Sequence, residues 1–387
     1  MDYNIDEVLT RRVTNVIPDK NALKKLLESG KKLNVYFGID PTATRVHIGH
    51  AVAIRKLQEF VDLGHNVTFL IGDATALIGD TSDKDSERPV LTAEEIKNNF
   101  KTYKKQASKI LDFSKVKIKF NSKWLSKLSF IDTIKLAQNF SFGDFANREL
   151  IKKRLNDKKK VGLHEALYPA MQAYDSYILD TDIQIGGADQ TFNMQAGRQL
   201  IKSRLNKESY IVVTPYLTGT DGRKMSKSWG NAIWLTDSAE EIFGKVMSLP
   251  DDLIVEYFEN ATKLDQKTID NAKKALKNGV NPMLLKKDLA FQIALEFAGK
   301  KAANKARVNF EKTFSKKMPE FSSQIKLKSS LLETVAPHTK LKSLSDAKRL
   351  ISQGAVQING DIVRDINYKI KKGDKIKIGK KIFGKLV

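Results

Sequence analysis

Residues 33–72, LNVYFGIDPTATRVHIGHAVAIRKLQEFVDLGHNVTFLIG, constrain the fold more than any other part of this 387-residue chain. Residues 33–39 are a nearly unbroken apolar run closed by the turn DPTAT, the pattern of a buried strand. From Ile48 to Leu63 the period changes. Ile54, Leu57 and Val61 stand at i, i+3 and i+7, on one face of a helix. Residues 66–72, NVTFLIG, return to strand character. Strand, helix and strand in so short a span make a βαβ unit, whose two strands must run parallel.

The same signals recur downstream. HEALYPAMQAYDSYILD (164–180) reads as a helix, and IQIGGADQTFNMQAGRQLI as a short strand, a glycine-rich turn and a helix start. IVVTPYL (211–217) gives another strand and TGTDGRKMSKSWGN another glycine-rich loop. Residues 79–89 read as an exposed loop and residues 94–155 as mostly helical. Beyond Asp237 only helical patterns remain until Phe314; a helix (345–353) and short strands around AVQING and DKIKIGKKI close the chain. The expected fold is α/β: a Rossmann-like parallel-sheet domain (1–234), an all-α domain (235–318) and a small α+β domain (325–387). Ligands of such sheets bind beyond the carboxyl ends of the strands. Three stretches converge there: 36–50, 186–193 and 220–228.

Composition narrows the partners. With 41% hydrophobic and 29% charged residues the chain reads as a soluble globular protein. No apolar run reaches the roughly 18 residues that suggest a membrane span, and MDYNIDEVLTRR lacks the apolar core of a signal peptide. Without cysteine there are no disulfides and no thiolate metal sites, which fits a reducing compartment. The expectation is a cytoplasmic protein with no membrane contact. The net charge of +22 points to a polyanion, nucleic acid first. A lysine-rich proteome is an alternative contributor, but residues 321–387 alone carry 15 Lys/Arg against 5 Asp/Glu. LKSLSDAKRLISQGAVQINGDIVRDINYKIKKGDKIKIG resembles the small RNA-binding domain shared by several ribosomal and RNA-modifying proteins, with Lys348 and Arg349 presented by its helix. The basic run 152–160 reads equally as a nucleic-acid contact or as a solvated helix face.

His47 and His50 in HIGH admit three readings. Zinc prefers histidines at i, i+4 with further ligands, and here the spacing is i, i+3 with no cysteine, so no metal is expected. Two structural histidines are a fair alternative. The third reading rests on position: the pair opens a helix just after a strand and turn, where free N–H groups favour phosphate. Gly49 leaves room for a flat ring to press on the backbone. In GRKMSKSWGN, Lys224 and Lys227 alone would be only a basic turn. Tyr168, Gln172 and Asp175, at i, i+4 and i+7, form a polar stripe that is either solvated or the grip for a zwitterion or hydroxyl.

Taken together, HIGH and KMSKS resemble the two hallmarks of the class I aminoacyl-tRNA synthetases. YFGIDPTATRVHIGH, LIGDTSDKDSER, YPAMQAYD and IGGADQTFN are similar to the bacterial-type tyrosyl-tRNA synthetases over essentially the whole chain. The resemblance implies a tyrosine–tRNA ligase that makes tyrosyl-adenylate and pyrophosphate from ATP, then charges tRNA(Tyr). By resemblance, Tyr36 and Asp175 bond the substrate phenol. Asp80, Tyr168 and Gln172 surround its ammonium group, and Gln190 lies near its carboxylate. Asp40, Gly187 and Asp189 face the adenosine. Thr42, His47 and His50, with Gly49 bare, serve the phosphates, and Lys84, Arg88, Lys224 and Lys227 close on pyrophosphate. Mg²⁺ is expected to accompany ATP, zinc is not expected, and a homodimer is. Two alternatives are the tryptophan-specific relative and a non-catalytic RNA-binding paralogue. Asp175 opposite Tyr36 favours a phenol over an indole, and the intact motifs argue against the paralogue.

Overall fold

A six-stranded sheet in the order β1-β6-β5-β2-β3-β4 organises the first part of the molecule. Its strands are β1 (Asn15–Ile17), β2 (Asn34–Ile39), β3 (Asn66–Ile71), β4 (Val116–Phe120), β5 (Ile183–Gly187) and β6 (Tyr210–Thr214). All neighbours pair in parallel except β1, which runs antiparallel to β6. The computed structural model describes residues 4–79, 91–227, 229–315, 323–339, 341–379 and 382–387. Among these, contacts divide the chain into two compact units, Met1–Ala303 and Asn304–Val387.

β2 and β5 are neighbours at the centre of the sheet. The chain leaves β2 through the helix Ile48–Asp62 towards β3, and leaves β5 through the helix Thr191–Leu205 towards β6, on the opposite side. The strand order reverses here, and a crevice opens outside the carboxyl ends of both strands. β4 lies inside the stretch read as mostly helical. Its sequence VKIKF alternates, and as a sheet-edge strand it carries Lys117 and Lys119, which discourage further pairing.

The helix Ile48–Asp62 is buried on nearly all sides. Ile54 and Leu57 are fully inaccessible, but so is Lys56, and Arg55 and Glu59 are almost so. Charges in such a place must be paired. Glu59 binds Arg12 (2.6 Å) and Lys56, and Arg55 binds Glu296 in bidentate fashion (2.8 and 2.5 Å). The helices Ile254–Ala261 and Pro282–Ala298 thus belong to the first unit and are locked onto its central helix.

The second unit holds a five-stranded sheet, β7 (Ser323–Ile325), β8 (Val356–Ile358), β9 (Asp361–Val363), β10 (Lys375–Ile378) and β11 (Ile382–Leu386), in the order β7-β11-β10-β8-β9. Val335 and Ile351, from the helices Leu331–Val335 and Leu344–Ser352, join Val356, Ile376 and Leu386 in a core of its own.

Candidate active site

The crevice is a cavity of about 690 Å³. Every described residue singled out for substrate or catalysis lines it: Tyr36, Asp40, Thr42, His47, Gly49, His50, Tyr168, Gln172, Asp175, Gly187, Asp189, Gln190, Lys224 and Lys227. Asp80, Lys84 and Arg88 lie outside the described residues.

At one end sits Asp175, 2% exposed. Its two oxygens accept hydrogen bonds from the Trp124 indole N–H (2.7 Å) and the Asn121 amide (3.1 Å). Burial pushes its pKa up to about 8; those two bonds, which favour the charged form, only partly offset it. Tyr36 projects from β2 beside it, its hydroxyl sharing a hydrogen bond with Ser176 (2.7 Å) and donating weakly to Gln184 (3.3 Å). Gln184 is itself oriented by donating to the Met194 carbonyl (3.0 Å). Burial, then the nearby Asp175, raises the Tyr36 phenol, so it stays protonated. This end thus combines a buried carboxyl group with a buried phenolic hydroxyl, both held by polar neighbours.

Midway, Asp40 at the end of β2 accepts from the Tyr168 hydroxyl (2.9 Å) and the Thr75 hydroxyl (2.8 Å). Gln190 accepts from Asn193 (3.1 Å), so its carbonyl is oriented within the turn after β5. Gln172 is half-buried on the same helix face as Tyr168 and Asp175.

At the other end the two histidine rings stack, centroids 3.7 Å apart. His50 Nδ1 accepts a hydrogen bond from the His47 backbone N–H (3.4 Å), which leaves the proton of a neutral ring on Nε2. His47 is 8% exposed and its Nδ1 is buried without a partner. Burial, reinforced by His50, Lys227 and Lys224, holds its pKa well below the ordinary value, so it is neutral. The bare face of Gly49 has a specific occupant. A Cβ there would stand 2.9 Å from His47 Nδ1, so the flat ring pressing on Gly49 is that of His47 itself.

The lysine loop folds over this end. Lys227 Nζ reaches the hydroxyl and carbonyl of Thr42 (3.3 and 3.5 Å). Lys224 lies over the Tyr216 ring (3.9 Å) and faces Asp189 (3.8 Å). Asn231, 2% exposed, templates the loop: it donates to Asp221 (2.7 Å) and to the Lys224 carbonyl (3.1 Å), and accepts from the Ser226 N–H (2.9 Å). Asn231 packs so closely on Gly219 that a Cβ there would be 2.3 Å from its amide nitrogen.

Comparison with known proteins fits this geometry. Residues 28–315 match the family of class I tRNA synthetases (W and Y), and residues 338–376 the S4 domain. A tyrosine–tRNA ligase of Carboxydothermus hydrogenoformans is 41% identical over 98% of this chain and 97% of its own. That of Thermotoga maritima is 40% identical over 97% and 96%. The chain belongs to the tyrosine–tRNA ligase family. Solved structures agree on the fold: tyrosyl-tRNA synthetase from Archaeoglobus fulgidus, solved with L-tyrosine, superposes with a TM-score of 0.63 at 24% identity, over 79% of this chain and 100% of its own. A C-terminally truncated mitochondrial tyrosyl-tRNA synthetase of Aspergillus nidulans gives 0.66 at 22%, over 80% and 93%.

Sequence reading missed Asn121, Trp124, Ser176, Gln184 and Asn231. Gln184 carried a signal, a polar side chain in the middle of an apolar strand. Asn121 followed an unrecognised strand. The basic run 152–160 needs one correction: Arg154 is 1% exposed and bonds Glu165 (2.7 and 3.0 Å), so it is a structural residue and neither a solvated nor an RNA-facing one. In the second unit Lys348 is exposed, and Arg349 is braced by Asp346 (2.5 Å).

Proposed function

We propose that this chain activates L-tyrosine with ATP, supplied as its magnesium complex, and transfers it to the 3′ end of tRNA(Tyr). The observation that carries this reading is one cavity with a buried Asp175–Tyr36 pair at one end and paired histidines and lysines at the other. The tyrosine carboxylate is already a nucleophile at neutral pH, so no base is needed. Its oxygen attacks the α-phosphorus and pyrophosphate leaves. The chain must hold the carboxylate in line and stabilise charge building on the phosphates. Gln190 and Gln172 orient the amino acid, and Asp40, Gly187 and Asp189 the adenosine. Thr42, the neutral His47 and His50 donate hydrogen bonds to phosphate, and Lys224 and Lys227 neutralise pyrophosphate, with Asp80 on the ammonium and Lys84 and Arg88 beside the leaving group.

Specificity follows from unpaired groups. Phenylalanine leaves the buried partners of the phenol unsatisfied, and tyrosine against phenylalanine is itself the usual illustration of this rule. An indole offers its N–H in a different place and lacks an acceptor for the Tyr36 hydroxyl. This favours tyrosine over tryptophan.

We assign the charge-rich last domain, with Lys348 and Arg349, to the tRNA backbone, the three-part division at 234 and 318 to separate roles, and the cytoplasm as location. The helix Phe130–Ala137 leaves Phe130, Ile131 and Ile134 79%, 57% and 43% exposed. Such a row calls for cover, and a second copy of the chain is the occupant we propose. Charging of tRNA(Tyr) transcript with labelled tyrosine tests the whole reading. Tyrosine must appear as an alkali-labile ester on the RNA; failure to charge, with the RNA bound, identifies a non-catalytic RNA-binding protein.

A further inference from the structure

The histidines and lysines at the phosphate end come from segments far apart in sequence, yet one short helix is bonded to both. The first turn of the helix Ile254–Ala261 sets Glu256 and Tyr257 against the base of the lysine loop. Together they engage all three polar groups of Thr218. Its N–H donates to Glu256 Oε1 (2.7 Å), its hydroxyl to Glu256 Oε2 (3.0 Å), and its carbonyl accepts from the Tyr257 hydroxyl (2.5 Å). Thr218 is the bridge partner of Lys224, and the next rung is the Met225 N–H donating to the Leu217 carbonyl (2.9 Å). The clamp therefore sits directly across from Lys224, three residues before Lys227.

The other end of the same helix is held by arginines. Arg55 donates to the Ala261 carbonyl (3.0 Å) and Arg12 to that of Thr262 (2.6 Å). Arg11 donates to Glu259, Thr262 and Leu264 (3.2, 3.2 and 2.7 Å). The carbonyls of Glu259, Ala261 and Thr262 are among those that a helix C-terminus leaves unsatisfied, and cations suit that end of the dipole. Arg55 stands on the helix Ile48–Asp62, whose first residues present the histidine pair.

We propose that the helix Ile254–Ala261 is a strut that fixes the distance between the histidines and the lysine loop, and that Glu256 is a positioning residue for Lys224 and Lys227. It touches no substrate. It holds the base of the loop, so that the cations stand within the few tenths of an ångström that transition-state stabilisation requires. The inference rests on the reading of the lysines given above.

Single-turnover formation of tyrosyl-adenylate tests it, with tyrosine affinity measured separately by equilibrium dialysis. Glu256→Gln weakens the clamp while keeping size. The expected result is about a tenfold slower step with tyrosine affinity unchanged within about twofold, the pattern of an interaction used in the transition state. In a Lys224→Ala, Lys227→Ala background the same substitution should change the rate by less than about twofold, since its effect passes through those lysines. Thr218→Val, which removes only the hydroxyl, must show the same dependence at smaller size and serves if Glu256→Gln fails to fold. Equal losses in both backgrounds, a parallel loss of tyrosine affinity, or an unchanged rate in folded Glu256→Gln overturns the proposal. An unchanged rate in the double lysine variant alone overturns the underlying reading of the lysines.

Discussion

In the proposed reading Tyr36 and Asp175 divide the work of recognising a phenol, and their surroundings set what each contributes. The Tyr36 hydroxyl is held by Ser176 and Gln184, which remain bonded to each other (3.0 Å) when it is removed. Tyr36→Phe should therefore cost only about 1 kcal/mol of stability, measurable in urea. The tyrosine-over-phenylalanine ratio in kcat/KM should fall about 10- to 100-fold, because one of the two phenol partners is gone. Asp175 makes a prediction with a sign. Its folded pKa, about 8, lies above the unfolded value near 3.8. The neutral form is favoured in the fold, so its contribution is fully present below the unfolded value and is lost as pH rises to 8. The melting temperature of the unliganded protein, relative to Asp175→Asn, should drop steadily from pH 5 to about 8 and level off above; a flat difference contradicts the assignment. Both were named by resemblance to a family; helix spacing alone put Asp175 on a polar stripe that could equally face solvent, and nothing in the spacing singled out Tyr36. Their supports were not named: Trp124 and Asn121 bond Asp175 only through tertiary packing, which no local period announces.

The helix Ile48–Asp62 shows how an element can serve two masters. Its apolar face was evident from Ile54, Leu57 and Val61. The burial of Arg55, Lys56 and Glu59 was not, because charges normally mark the solvent side and only tertiary partners reveal the exception. β4 escaped for a similar reason: five residues with two lysines read as helix surface until a neighbouring strand supplies the pairing. Gly49 provides the test at this scale. Gly49→Ala gains up to about 1 kcal/mol of helix propensity but overpacks the His47 ring by about 1–3 kcal/mol. Stability should fall by about 0–3 kcal/mol, while adenylate formation falls at least about tenfold as the ring shifts. A normal rate would mean that the ring tolerates displacement and that its placement is not what the glycine serves.

At the scale of the molecule the proposed reading gives the two units separable tasks. The second has its own core, and the first contains the whole cavity. Ending the chain at residue 315 should leave tyrosine activation within about twofold, because no cavity residue is removed. Charging of tRNA(Tyr) should drop by orders of magnitude, and the salt dependence of tRNA affinity should flatten as phosphate contacts are lost. Filter binding over a salt series measures the slope. The central claim is that one cavity joins phenol recognition to phosphate chemistry, and ATP–pyrophosphate exchange reads both at once. Exchange should appear with tyrosine and stay at background with tryptophan and with phenylalanine. Exchange driven by tryptophan, or none with any amino acid from a folded protein, contradicts the account.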